Sequence, residues 1–190
     1  MNTEVVDWRP SSREGLVWNV LALPLLFVGL IWFGWLAIRD VPTSGSATVG
    51  ATSLLLWVLG TLALAVALFL AHEGLHGLVM AAFGGRPRFG AMVMARVVPV
   101  LYTTAPGHVF SGAQYLAVSL TPAAAISILG VAACLTPAGL IFVVPLAIHL
   151  SGCVGDFAAT LRLLAQPRGT SCEDLPDGLR FHRPSAVERQ

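Results

Sequence analysis

The chain has 190 residues, of which 56% are hydrophobic and 11% charged, with a mean hydropathy of +0.78 and a formal net charge of +1. Such a composition argues against a soluble domain and for a polytopic membrane protein. The near-zero charge, with no basic run and no basic-aromatic interleaving, excludes a nucleic-acid partner.

Residues 1–15 form a short cytoplasmic segment ahead of the first apolar stretch. Leu16 to Ile38 carries no formal charge and is long enough to cross a hydrocarbon core of about 30 Å. Its apolar run exceeds the roughly 7–15 residues of a signal peptide core, and no small-x-small cleavage site precedes Arg39, so an anchored helix is expected. Arg39 to Gly50, RDVPTSGSATVG, reads as a loop. Ala51 to Phe83 is the second apolar segment, ended by Gly84 and Gly85.

The stretch from Arg86 to Gly112 is too polar for a span and too apolar for a disordered linker. Within it, Phe89 to Phe110 is rich in β-branched and aromatic residues and contains Pro106-Gly107, which predicts one or two short strands or a re-entrant hairpin. Tyr115 to Leu135 and Gly139 to Ala165 are the third and fourth spans. Only Thr136, Pro137 and Ala138 join them, so they are expected to be antiparallel neighbours. Pro122 and Pro145 fall inside these spans, where each removes a helical hydrogen bond and can bend the helix. From Gln166 the chain turns polar, with Pro167, Pro176 and Pro184, and a mobile or peripheral cytoplasmic tail is expected over 166–190. The expected fold is therefore an all-α integral membrane protein. It has four transmembrane helices over 16–165 and a short β-like or re-entrant segment between the second and third.

Orientation rests on arginine, because the chain has no lysine. Arg9, Arg13, Arg86, Arg88, Arg96, Arg162, Arg168, Arg180, Arg183 and Arg189 fall on one side of the expected spans and Arg39 alone on the other. The positive-inside bias places both termini in the cytoplasm. Trp18, Trp32 and Trp35 fit interfacial anchoring at the two ends of the first span. Cys134, Cys153 and Cys172 form no C-x-x-C pair and are odd in number, which argues against a disulfide framework.

The second segment contains FLAHEGLHGLVM. His72 and His76, spaced i and i+4, share a helix face with Cβ atoms about 5–6 Å apart, which suits two imidazoles on one zinc ion. Glu73, roughly 100° around the helix, can address a water on that metal as general base without being a ligand. An ionisable group in a membrane span costs at least about 2.5 kcal/mol for a charged acid near the centre, so three within about one turn point to function. Two other readings are hydrogen bonding between helices and a haem held by His76 and His149. The haem reading leaves Glu73 and the histidine spacing unexplained.

A catalytic zinc site takes three protein ligands. From Gly77 to Cys172 the only acidic residue is Asp156, in the fourth span, which makes it the leading candidate. Helical rise places His72 about 30 Å and Asp156 about 26 Å from the outer ends of their spans, and His149 about 10 Å from Asp156 along the axis. His149 therefore suits packing, hydrogen bonding or substrate contact better than the same metal.

HEGLH on one span, a mixed segment, a further span and a span carrying SGCVGD together resemble the putative zincin peptidase family of small prokaryotic membrane proteins. The arrangement is also similar to the site-2 protease type of intramembrane zinc metalloprotease. Those proteases usually show L-D-G where this chain has Gly155, Asp156 and Phe157. The resemblance covers roughly 51–165. It implies a cell-membrane protein with bound zinc that hydrolyses peptide bonds in a membrane-protein or peptide substrate near the cytoplasmic face. It also implies that the strand-like middle segment receives an extended substrate. In that segment His108 and Gln114 are candidates either for polarising the scissile carbonyl or for a solvated loop. The alternative of a different class is a non-catalytic zinc- or haem-binding membrane protein that serves as a partner-binding scaffold.

The arginine bias has a direct check. A cysteine introduced at Ser44 should react with an impermeant thiol reagent in intact cells, and one at Ser185 only after permeabilisation; labelling of Ser185 in intact cells would reverse the orientation.

Overall fold

The computed structural model of the protein describes residues 3–39, 50–94 and 98–184. The expected loop from Arg39 to Gly50 lies outside these residues except for its two ends, as do Arg96 and Arg189. In chain order the elements are β1 (Thr3–Trp8), α1 (Ser12–Ile38), α2 (Ala51–Ala82), β2 (Arg88–Met94), β3 (Val98–Thr104) and β4 (Val109–Ser111). There follow α3 (Gly112–Cys134), α4 (Leu140–Gly152), α5 (Val154–Leu164), β5 (Ser171–Leu175) and β6 (Gly178–Pro184).

α1, α2, α3 and the α4–α5 stretch from Leu140 to Leu164 are each long and apolar enough to cross a membrane. Large apolar side chains along α1 and α2, such as Ile31, Leu56 and Val66, remain at least half exposed, as expected where lipid rather than protein is the neighbour. Local chemistry sets the helix ends. Ser11 and Glu14 form a reciprocal capping box at the start of α1: Glu14 Oε2 accepts from the Ser11 main-chain N–H at 2.8 Å, and Ser11 Oγ from the Glu14 N–H at 3.2 Å. The helix therefore begins at Ser12, ahead of the apolar run. Gly84 ends α2 with φ +85. The N–H of Gly85 reaches the Met80 carbonyl and that of Gly84 the Ala81 carbonyl, each at 2.9 Å, a Schellman closure that needs the left-handed residue glycine supplies.

Three expectations are corrected. The protein is not all-α: it contains a four-stranded sheet in the order β1-β6-β5-β4 and a two-stranded sheet β2-β3. The expected β-like segment is present as β2 and β3, antiparallel with Arg88 opposite Thr104. The stretch after Gln166 is not peripheral, because Ser171–Leu175 and Gly178–Pro184 pair as a hairpin and then with both β4 and β1. Cys172, Leu179 and Phe181 alternate inward and are almost fully buried, while Pro176-Asp177 forms the two-residue turn between the paired Leu175 and Gly178. The fourth span is interrupted at Cys153, whose N–H is shared between the carbonyls of His149 and Leu150. Gly152 and Gly155 flank the break and weaken the helix there.

The chain divides into two compact units. The first gathers Met1–Trp18, Ala71–Pro122 and Gly155–Gln190. Its core is built from Met80, Ala105, Phe110, Tyr115, Val118, Leu163, Cys172, Leu179 and Phe181. The strand register matches Asp7 to Arg180, whose guanidinium binds the carboxylate through Nε and Nη2 at 2.7 and 3.1 Å. Arg162 pairs with Glu14 and lies over the Trp8 ring. The second unit, Asn19–Leu70 and Ala123–Val154, packs through small residues. A Cβ on Gly29 would sit 2.8 Å from Ala147 Cα, and one on Gly130 would sit 2.6 Å from Leu146 Cδ2. This is the close helix approach that drives association when no hydrophobic force acts between lipid-facing surfaces.

Truncating the inward-facing Phe181 to alanine should destabilise the first unit by about 3–5 kcal/mol. Val5→Ala, on the exposed side of β1, should change stability by no more than about 0.5 kcal/mol. Denaturation of the two variants in detergent micelles measures the contrast, and equal stabilities would place the sheet outside the cooperative core.

Candidate metal centre

Within the first unit, α2 carries His72, Glu73 and His76 and α5 carries Asp156. Both imidazoles are buried at 7% exposure. Their Nε2 atoms lie 3.0 Å apart. Asp156 Oδ2 is 3.1 Å from His72 Nε2, and Oδ1 is 3.4 Å from His76 Nε2. The i, i+4 spacing stacks the two rings on one helix face, and the first turns of α5 present the carboxylate to that face.

Surrounding hydrogen bonds fix these groups. His76 Nδ1 is 2.9 Å from the main-chain oxygen of Val118. A carbonyl can only accept, so Nδ1 carries the proton and the Nε2 lone pair is turned toward His72 and Asp156. The Thr103 hydroxyl, on β3, donates to Glu73 Oε2 at 2.7 Å and also lies 3.1 Å from the Glu73 main-chain oxygen. A Glu73 carboxylate oxygen lies within 4.8 Å of a ring nitrogen of each histidine. Behind the cluster, Ser119 Oγ and Thr160 Oγ1 are 2.9 Å apart and join α3 to α5.

These side chains border a cavity of about 160 Å³. Glu73, His76 and Asp156 line it together with Thr103 from β3, Tyr115 from α3 and Asp174 from β5. The last three were not singled out from the sequence. Thr103 and Tyr115 carry no motif. Asp174 lies in the polar segment expected as a tail, although alternation on either side of Pro176-Asp177-Gly178 is a hairpin signal. The Tyr115 hydroxyl is hydrogen-bonded to the Asp174 carboxyl, and burial pushes that carboxyl up to about 8, with His76 and the Tyr115 hydrogen bond opposing the push and the charges of Asp156 and Glu73 adding to it.

The other sequence candidates make contacts of their own. Gln114 forms a second capping box, at the start of α3: its Oε1 accepts from the Ser111 N–H at 2.8 Å, and its own N–H reaches Ser111 Oγ at 3.3 Å. His108, in the turn between β3 and β4, sets its ring against Phe110 with centroids 4.5 Å apart. His149 is buried in the second unit, with Nε2 3.8 Å from Cys153 Sγ and its ring 6.5 Å from that of Phe69.

The donor set tests well for zinc. Two neutral imidazole nitrogens and a carboxylate are a common catalytic combination, and ligand atoms about 2.0–2.1 Å from a tetrahedral zinc are roughly 3.3 Å apart. The separations here are 3.0, 3.1 and 3.4 Å. The chain belongs to the family described as putative zincin peptidase, whose model matches residues 65–171. Membership gives the coarse class, a zinc-dependent peptidase. No curated protein and no solved structure matches the chain.

Ser119→Ala would deprive the buried Thr160 hydroxyl of its partner and should destabilise the protein by about 1–3 kcal/mol. Adding Thr160→Val should recover part of the loss, because an apolar pair leaves no polar group unsatisfied. A double-mutant cycle in micelles measures the coupling; strictly additive losses would show that the bond contributes nothing.

Proposed function

We propose that this protein is an intramembrane zinc metalloprotease of the site-2 type, with both termini cytoplasmic, cutting peptide bonds of membrane-associated substrates near the cytoplasmic face. The observation that carries the reading is the convergence of His72 Nε2, His76 Nε2 and the Asp156 carboxylate beside Glu73, on a cavity walled by α2, α3 and α5 and by the strands β3 and β5. The fold supports it. Four helices are long and apolar enough to cross a membrane, and the arginines lie almost wholly on one side of them.

His72, His76 and Asp156 would hold the zinc. When bound, it would polarise the scissile carbonyl and make water acidic enough to ionise near pH 7. Glu73 takes the proton from the attacking water and returns it to the leaving amine. The Thr103 hydroxyl holds Oε2 of Glu73, which leaves the other oxygen to face the water. The Val118 carbonyl keeps the His76 proton on Nδ1, so Nε2 remains a ligand throughout.

Substrate access follows from β3. Leu101 to Thr104 line the cavity, and among the described residues β3 pairs only with β2. Its second edge can therefore accept an extended segment through main-chain hydrogen bonds, which favours locally unwound substrates over intact helices.

Purified protein should hold about one zinc per chain. His72→Ala, His76→Ala and Asp156→Ala should lose it, while Glu73→Gln should keep the metal and lose cleavage by about 10²–10⁴-fold. Thr103→Val should keep the metal and cleave more slowly. Metal analysis alongside cleavage of quenched fluorescent peptides tests the assignment, and full zinc retention in the double histidine variant would sink it.

A further inference from the structure

β5 places adjacent acids on opposite faces. Glu173 is paired in register with Arg180 and lies 3.5 Å from its guanidinium, whereas Asp174 points to the other side and lines the metal cavity. The contact that fixes Asp174 there is the Tyr115 hydroxyl, which neutralises nothing. Among the described residues no arginine lines the cavity, and the chain has no lysine. Resting on the zinc-peptidase reading, one dipositive ion would balance Glu73 and Asp156, and ionisation of Asp174 in the same cavity would call for one further positive charge. Burial, with the charges of Asp156 and Glu73 adding to it and His76 opposing it, pushes the Asp174 carboxyl up, and an ammonium in the cavity would relieve that push.

We infer that Asp174 is a specificity-determining residue that receives an ammonium group of the substrate, from a lysine side chain or a free amino terminus, next to the scissile bond. A compact ammonium suits a cavity of about 160 Å³ that must also admit the reacting peptide group and water. It completes the hydrogen bonding of a carboxylate already held by Tyr115, and a charge-assisted bond in a partly desolvated site is among the stronger polar contacts. The C-terminal hairpin thus selects substrate as well as completing the sheet.

The test uses the zinc-loaded full chain in detergent micelles and two peptide pairs, one with lysine or norleucine beside the scissile position, the other with a free or acetylated amino terminus. Dissociation constants are measured on Glu73→Gln, which cannot turn the peptides over, and cleavage rates on the unaltered protein. One ammonium-bearing member should bind at least about tenfold tighter than its neutral partner, and the pair showing the gap identifies the source of the ammonium. Adding Asp174→Asn, which keeps a partner for Tyr115, should close the gap while zinc content stays at the parent level. Equal binding within both pairs overturns the inference, as does a gap that survives Asp174→Asn. If Asp174→Asn loses zinc or fails to fold, the comparison on the Asp174-containing protein still decides, since equal binding there is sufficient to overturn it. A gap that depends on Asp174, without cleavage by the unaltered protein, supports this inference and overturns the peptidase reading instead.

Discussion

The structure depends on keeping two imidazoles and a carboxylate together inside an apolar helical assembly. Each of these groups alone would be expensive to bury, and removing any one leaves the others unpaired in a low dielectric. His72, His76 and Asp156 bring their Nε2 and carboxylate atoms to 3.0–3.4 Å of one another, and that convergence of acceptor atoms is what a dipositive ion needs. The surrounding bonds serve this arrangement. The Val118 carbonyl chooses the His76 tautomer, and the Ser119–Thr160 pair holds α3 against the helix that carries Asp156.

Around that cluster, the first unit uses β-structure to do what helices cannot. A helix presents side chains at fixed angular intervals, so α2 can supply His72, Glu73 and His76 but not a wall facing them. β3 brings Thr103 to Glu73, and β5 brings Asp174 to Tyr115. Both strands are short and pinned. β2-β3 is a simple hairpin, and β5 is tied between β4 and β6, with β6 held in turn by β1. Residues from both ends of the chain thereby stabilise the unit that holds the site, and the buried Phe110, Cys172 and Phe181 form its apolar centre.

The second unit follows different packing chemistry. Its helices approach through Gly29 and Gly130, with large side chains left outward. That pattern suits a hydrocarbon surround, where only contact quality and polar pairing distinguish protein from lipid as a neighbour.

The sequence by itself determined the apolar spans, the strand-like segment between the second and third, and the histidine-glutamate motif. These follow from composition and from periodicity within one helix, which are local properties. The search for a lone acid also pointed to Asp156, because few acids occur in apolar segments and each needs a reason to be there. Only the tertiary structure decided which distant groups face the motif. Thr103, Tyr115 and Asp174 are ordinary residues whose placement comes from strand pairing and helix packing, which are long-range. The tail was misread for a related reason: its polar composition resembles a linker, and its alternation becomes meaningful only when β4 and β6 flank β5 and β1 covers β6. Gln114 and His108 show the converse. Both were legible either as carbonyl-polarising or as solvated loop residues, and local geometry gives one a helix cap and the other an aromatic neighbour, because a polar side chain near a helix start bonds the closest free backbone group.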